Sequence, residues 1–235
     1  MEYYTLLMLG CVVGFQHALE ADHLSAVAAM STNRSSRKAL ILRGTMWGLG
    51  HTITLLIICG ILLIFGETLS PTTESLLEFL VGIMLILLGL HVVASLREKK
   101  SHFHMHKHQD GVTHMHAHSH ENYKEPHAKS VHEHRHINMG LSRALLVGMI
   151  HGAAGSAGML VLAATAQTLA NALGFIIAFG AGSIVGMTTL SFLASYPLRT
   201  IENGARWLQL AVTASIGALA ITVGVMRLVE NWPTI

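Results

Sequence analysis

The chain has 235 residues, a formal charge of +2 with histidine neutral, 51% hydrophobic and 12% charged residues, and a mean hydropathy of +0.51. So much apolar sequence carrying so little charge excludes an ordinary soluble domain and points to a chain that crosses the bilayer several times. The small net charge gives no footing for nucleic-acid binding. Two isolated cysteines, Cys11 and Cys59, form no CxxC pair or disulfide framework and are expected as lipid-buried thiols.

Six stretches reach the roughly 20 apolar residues that a membrane helix needs. They run from Tyr3 to Met30, Leu40 to Phe65, Thr73 to Leu96, Ala144 to Thr168, Ala172 to Tyr196 and Ala205 to Val229. Ala26-Val27-Ala28 imitates a signal-peptidase site, but Met1-Glu2-Tyr3 has no basic n-region, so the first stretch is expected as a retained helix. Period-2 alternation is absent from the six, and only closed barrels satisfy strand backbones in lipid. The expected fold class is all-α: a polytopic membrane protein of six transmembrane helices.

Basic residues orient the spans. Fourteen of the fifteen Lys and Arg fall in the first, third and fifth connections or within four residues of them, which places those connections in the cytoplasm and both termini outside. Arg227, the exception, is expected to snorkel from the end of the last span. The halves also resemble each other. Val13-Gly14-Phe15-Gln16-His17 matches Val147-Gly148-Met149-Ile150-His151 at an offset of 134; Gly50-His51-Thr52 matches Gly186-Met187-Thr188 at 136; Gly82 and Gly89 match Gly217 and Gly224 at 135. Three spans per half, an odd number, mean that the second half inserts upside down, the inverted repeat of many secondary transporters. The expected division is residues 1–96 and 141–235 as the two repeats, with 97–140 as the loop between them.

The stretch that needs explaining is Gly14 to Met30, where His17, Glu20, Asp22 and His23 lie inside an apolar run. Ionisable groups there are costly enough to mark function by default. At 100° per residue His17, Glu20 and His23 share an arc of about 120° while Asp22 points nearly opposite. A straight helix therefore cannot aim His17, Asp22 and His23 at one small ion. Either the helix breaks near Ala18 to Asp22, or Asp22 orients a His on a neighbouring span. The bland reading, an ion-pair cluster tying helices together, lacks a Lys or Arg in that span; a metal cation supplies the positive charge instead.

Three further residues could join. His51, eleven residues into its span from Leu40 and so about 16 Å deep, reaches a depth where it can meet His17. His151 is the repeat counterpart of His17, without the acids: Gly152-Ala153-Ala154-Gly155-Ser156 follows it, small residues that let backbones approach. It is equally readable as ligand or packing residue. Met187 and Thr188 are weaker candidates to line the path, and His91 is expected to hydrogen-bond lipid headgroups. The metal candidates are thus His17, Glu20, Asp22, His23, His51 and His151.

Between Arg97 and Asn138 lie twelve of the seventeen His, among Lys, Glu, Asn and Gly with too little apolar content to build a core. This loop is expected to be disordered and to buffer metal through neutral imidazoles. His132-Glu133-His134-Arg135-His136 fits HExxH, but a tract so rich in His matches it by accident and lacks the helix that chemistry requires.

His17-Ala18-Leu19-Glu20-Ala21-Asp22-His23 is HxxxxDH in a first span and resembles the signature of the nickel/cobalt transporter family; Leu49-Gly50-His51-Thr52 resembles that family's second motif. The six-span length and the segment Gly148 to Ser156 resemble its urease-accessory branch. The resemblance implies that His17, Asp22, His23 and His51 select and carry the metal, with Ni²⁺ or Co²⁺ as substrate rather than cofactor. It also implies a bacterial or archaeal cell membrane and urease or hydrogenase maturation proteins downstream. No Walker A sequence is present, and no enzymatic cofactor is expected. The chain departs from the family's longer eight-span form, and its His-rich loop is also similar to that of nickel/cobalt efflux proteins. Uptake through a midplane His/Asp site is the expected function, with efflux as the alternative; an intramembrane metalloenzyme and a metal sensor are the competing classes.

Overall fold

The computed structural model describes residues 3–31, 36–98, 102–107, 113–118, 139–164, 166, 168–202 and 206–232. The first apolar stretch is two helices, α1 (Tyr3–His17) and α2 (Ala21–Ser31). Then come α3 (Arg37–Phe65), α4 (Pro71–Glu98), two strands β1 (His102–Lys107) and β2 (Thr113–His118), the pair α5 (Met139–Ala154) and α6 (Ser156–Ala164), and finally α7 (Leu169–Glu202) and α8 (Arg206–Glu230).

Among the described residues, four helices are long and apolar enough to cross a membrane: α3, α4, α7 and α8. The expected first and fourth spans are each broken, and neither fragment alone is long enough. The long helices have ordinary local causes. Ser36 caps α3, its hydroxyl accepting from the Ala39 N–H at 3.2 Å. Gly66, at φ 68°, ends it in the left-handed conformation that glycine adopts without strain. Pro71 opens α4 behind Ser70, whose hydroxyl accepts from the Thr73 N–H.

The bundle is assembled by close approach of small residues. α1 packs on α7 and α5 on α3, while α3 also packs on α7 and α4 on α8. A Cβ on Gly148 would run into the Trp47 carbonyl and one on Gly152 into the His51 carbonyl, so α5 seats on α3 backbone to backbone. α4 meets α8 with Gly82 against Gly224 and Gly89 against Gly217. Leu228 covers Gly82 as Val93 covers Gly217.

One buried cluster joins Trp47, Val81, Leu85, Met187 and Ala220, and a second joins Leu55, Cys59, Phe175, Ile176 and Phe179. Large apolar side chains such as Met8, Val12, Ile57, Ile61 and Val185 stand on the outside of the bundle, as a lipid-facing surface requires. Cys11 is exposed on this surface, but Cys59 is fully buried with its thiol toward the Ser156 carbonyl, so only one cysteine can face lipid.

Outside the helical bundle, β1 and β2 pair antiparallel with His102 opposite His118, His104 opposite His116 and His106 opposite His114. Here the sequence does alternate, His-Phe-His-Met-His against His-Met-His-Ala-His, which suits a two-stranded ladder. The rest of the expected disordered loop, including the HExxH match, lies outside the described residues.

Candidate metal centre

The break between α1 and α2 has a local cause. After His17 the backbone tightens: the Leu19 N–H bonds the Gln16 carbonyl and the Glu20 N–H the His17 carbonyl, both three residues back. The helix restarts when the Leu24 N–H bonds the Glu20 carbonyl. Two acids, Glu20 and Asp22, therefore sit at the N-terminus of α2, and His17 sits in the last turn of α1. Each placement matches the helix dipole, with acid at the positive end and a cation-seeking group at the negative one. Its counterpart is the break at Gly155, which leaves His151 in the last turn of α5. Two half-helix C-termini thus supply partial negative charge to the centre of the bundle.

Four imidazoles meet there from four elements. His51 is fourteen residues from either end of α3 and fully buried. Its ring centroid lies 5.3 Å from that of His17 and 5.6 Å from that of His23. His17 and His23 stand edge-on at 4.5 Å, and His23 stacks on His151 at 4.6 Å with 23° between planes. Nitrogens of His17, His23 and His51 lie within 4.8 Å of one another, and so do ligand atoms of Asp22, His23 and His151.

Among the described residues, Nε2 of His17 and of His23 and both nitrogens of His51 and His151 have no hydrogen-bond partner. Six buried ring nitrogens without partners in one place are costly, since each loses its hydration and gains nothing in return. A divalent cation suits them, because imidazole nitrogen is a good ligand for borderline transition metals.

The acids hold the rings rather than crowd the centre. His17 Nδ1 is 2.8 Å from Glu20 Oε1, and His23 Nδ1 is 2.9 Å from Asp22 Oδ1, which also accepts from the His23 N–H. In both, one ring nitrogen is fixed by a carboxylate and the other is left for an ion, the usual arrangement around metal-binding histidines. Both sequence expectations for Asp22 therefore meet, with one change: the helix does break, and Asp22 orients a ring, but that ring is the adjacent His23.

Arg227 corrects two further expectations. It does not snorkel to the rim; its guanidinium donates to Asp22 Oδ2 at 3.1 Å and lies 3.6 Å from Glu78 Oε2. The polar cluster on the first stretch thus has a basic neutraliser after all, contributed by α8. Its exception to the charge asymmetry was the sequence signal. Trp47 and Phe179 were missed as well. The Trp47 ring lies 5.5 Å from His23 and 5.7 Å from His151, and Phe179 lies 5.3 Å from His17, so aromatic faces wall the imidazoles. Trp47 stands one turn before His51 on the same face of α3, which periodicity alone could have flagged.

The weaker candidates go elsewhere. Met187 is buried in the core, Thr188 pairs with Thr45 at 3.1 Å, and His91 meets Arg143 at 3.4 Å rather than lipid alone. An open cavity of about 750 Å³ leads to His17, lined by Glu20, Glu74, Glu78, Gly155 and Phe179 among others.

Comparison with known proteins agrees with a membrane assignment. Residues 24–226 match the family described as the cytochrome C biogenesis protein transmembrane region. The chain is 35% identical over 199 residues to the urease accessory protein UreH of Bacillus sp. (strain TB-90), covering 84% of this chain and 79% of that protein. No solved structure matches. The chain is an integral membrane protein that belongs to this transmembrane family and, by its likeness to UreH over most of its length, to the urease-accessory branch that its segment Gly148 to Ser156 resembles.

Proposed function

We propose that the protein carries nickel, with cobalt as a second substrate, inward across the cell membrane through the four-histidine centre. The observation that carries this reading is the convergence of His17, His23 and His51, on three different elements, with unpartnered nitrogens close enough to share one ion. The relative's name, a urease accessory protein, supports nickel among the imidazole-preferring metals, since urease maturation is where that name places it. On this reading the protein is a transporter and not an enzyme, the ion is cargo, and urease or hydrogenase maturation proteins receive it.

The architecture we propose is two inverted three-helix repeats, each opening with a discontinuous span, α1–α2 and α5–α6. Reciprocal contacts support it: Gly82 meets Gly224 as Gly89 meets Gly217, and Ile221 lies over Gly89 as Ile86 lies over Gly224. The same exchange relates Gly48 against Ile184 to Gly180 against Thr52 and pairs α3 with α7 at an offset of 132, one helical turn from the 136 of the sequence match. In this register the counterpart of His51 is Ser183, whose hydroxyl donates to the Gly14 carbonyl. Termini outside and a cytoplasmic His-rich loop complete the arrangement. The loop buffers metal that has already crossed.

A divalent ion moving inward down a membrane potential gains about 4.6 kcal/mol per 100 mV, enough for roughly thousandfold accumulation. Uptake then needs no other coupling. The test is nickel flux into vesicles of the reconstituted protein under imposed potentials of either sign, with a panel of divalent competitors. Potential-driven entry that is lost in His17→Ala is the expected result. Export against the potential, coupled to protons, favours the efflux reading, for which the His-rich loop is the supporting feature.

A further inference from the structure

We propose that Arg227 is a resident cation that keeps the transported ion in the all-imidazole triad and so sets the metal selectivity. This rests on the transport reading above and names the residue that decides which metals are accepted. Two overlapping ligand groups exist, His17–His23–His51 and Asp22–His23–His151, and His23 belongs to both. With His23 Nδ1 committed to Asp22, one free nitrogen remains, so an ion held through His23 occupies one group or the other.

The two groups differ in chemistry. The first offers neutral imidazoles alone, which suit nickel, cobalt, zinc and copper; the second includes a carboxylate, which makes it acceptable to oxygen-preferring ions such as manganese. Both oxygens of Asp22 are already engaged. Oδ1 accepts from the His23 backbone and faces its ring, and Oδ2 accepts from Arg227 at 3.1 Å. The fork of the guanidinium reaches a second carboxylate, Glu78, at 3.6 Å, which holds it in place. A metal that needs Asp22 must bind against the positive charge of this guanidinium or displace it; a metal satisfied by three imidazoles need not.

The position of Arg227 is otherwise hard to explain. It is the single basic residue at that end of the spans, on α8, yet its side chain is directed inward to Asp22, which is only 7% exposed. Neutralising one buried carboxylate would be achieved more cheaply by having an amide there.

The experiment measures the concentration of Mn²⁺ that halves nickel uptake, relative to that of unlabelled Ni²⁺, in vesicles of the full-length protein. Arg227→Gln is expected to lower this ratio at least tenfold. Arg227→Lys, which keeps the charge, should hold it within about twofold, and the double variant Asp22→Asn/Arg227→Gln should return it toward the parent. An unchanged ratio in Arg227→Gln overturns the proposal. Should that variant not fold, Glu78→Gln decides: with the guanidinium no longer held by its second carboxylate, the ratio is expected to fall, and a ratio unchanged or raised overturns the proposal. The same ratio is read as equilibrium competition between Ni²⁺ and Mn²⁺ in detergent. A parent that binds without flux would then count against transport while the binding ratio still judges Arg227.

Discussion

His23 gives its Nδ1 to Asp22 at 2.9 Å and thereby leaves its Nε2 for the space shared with His17 and His51. The pairing of adjacent residues is possible because both lie in the first turn of α2, just past the break, where the His23 N–H has no intrahelical acceptor and bonds Asp22 Oδ1 instead. An acid that on a straight helix points away from His17 and His23 becomes the group that aims the His23 ring.

Asp22→Asn should weaken nickel binding by about 10- to 100-fold, the usual cost of losing a carboxylate that orients a metal-binding imidazole. The amide can still hydrogen-bond one ring nitrogen, so the fold should persist, and isothermal titration in detergent measures the loss. Unchanged affinity would mean that Asp22 serves Arg227 and not His23.

His51→Leu should separate stability from function. The ring is fully buried with both nitrogens unpartnered, so an apolar side chain of similar size removes a desolvation cost of about 1–3 kcal/mol. The expected outcome is a higher thermal midpoint with nickel flux abolished. The parent in turn should be stabilised by nickel, by about 2.7 kcal/mol at a hundred times Kd, and the variant much less. A melting series with and without nickel reads both effects.

Gly152→Leu should disrupt the seating of α5 on α3, because even a Cβ meets the His51 backbone and neither helix can yield without moving the His51 or His151 ring. Overpacking of this kind typically costs about 1–3 kcal/mol, and more where backbone blocks it. Gly158→Ala, where nothing stands within 4 Å, is the matched control and should be nearly silent. Detergent melting of the two variants tests the contrast.

Deleting residues 102–136 should leave transport in place and change only apparent affinity or its response to cytoplasmic metal. The six-nitrogen centre is built entirely by residues of α1, α2, α3 and α5, all outside the loop. Flux lost along with the loop would move the essential ligands out of the membrane.

Much of this was legible in the residues themselves. Acids and imidazoles inside an apolar run have few causes, and the geometry of a straight helix left two outcomes, a break near Ala18 to Asp22 or an Asp22 turned to another ring, of which the break appears at Ala18 to Glu20. His51 and His151 were found because depth and repeat position are both functions of residue number. Arg227 was not, because its partner lies 205 positions away and no local pattern links them. The second break, at Gly155, was read only as close packing, since small residues signal tight approach and helix interruption alike. Cys59 was placed in lipid for a similar reason: an apolar run does not say which side of a helix faces the bundle.

The most direct measurement is nickel K-edge X-ray absorption on nickel-loaded protein, for the parent, for the protein lacking residues 102–136, and for His51→Leu in that background. Several imidazole ligands that survive removal of the loop and are lost with His51 are the expected result. A shell made only of oxygen, or imidazole scattering that vanishes with the loop and ignores His51, would contradict a cation site at the centre of the bundle.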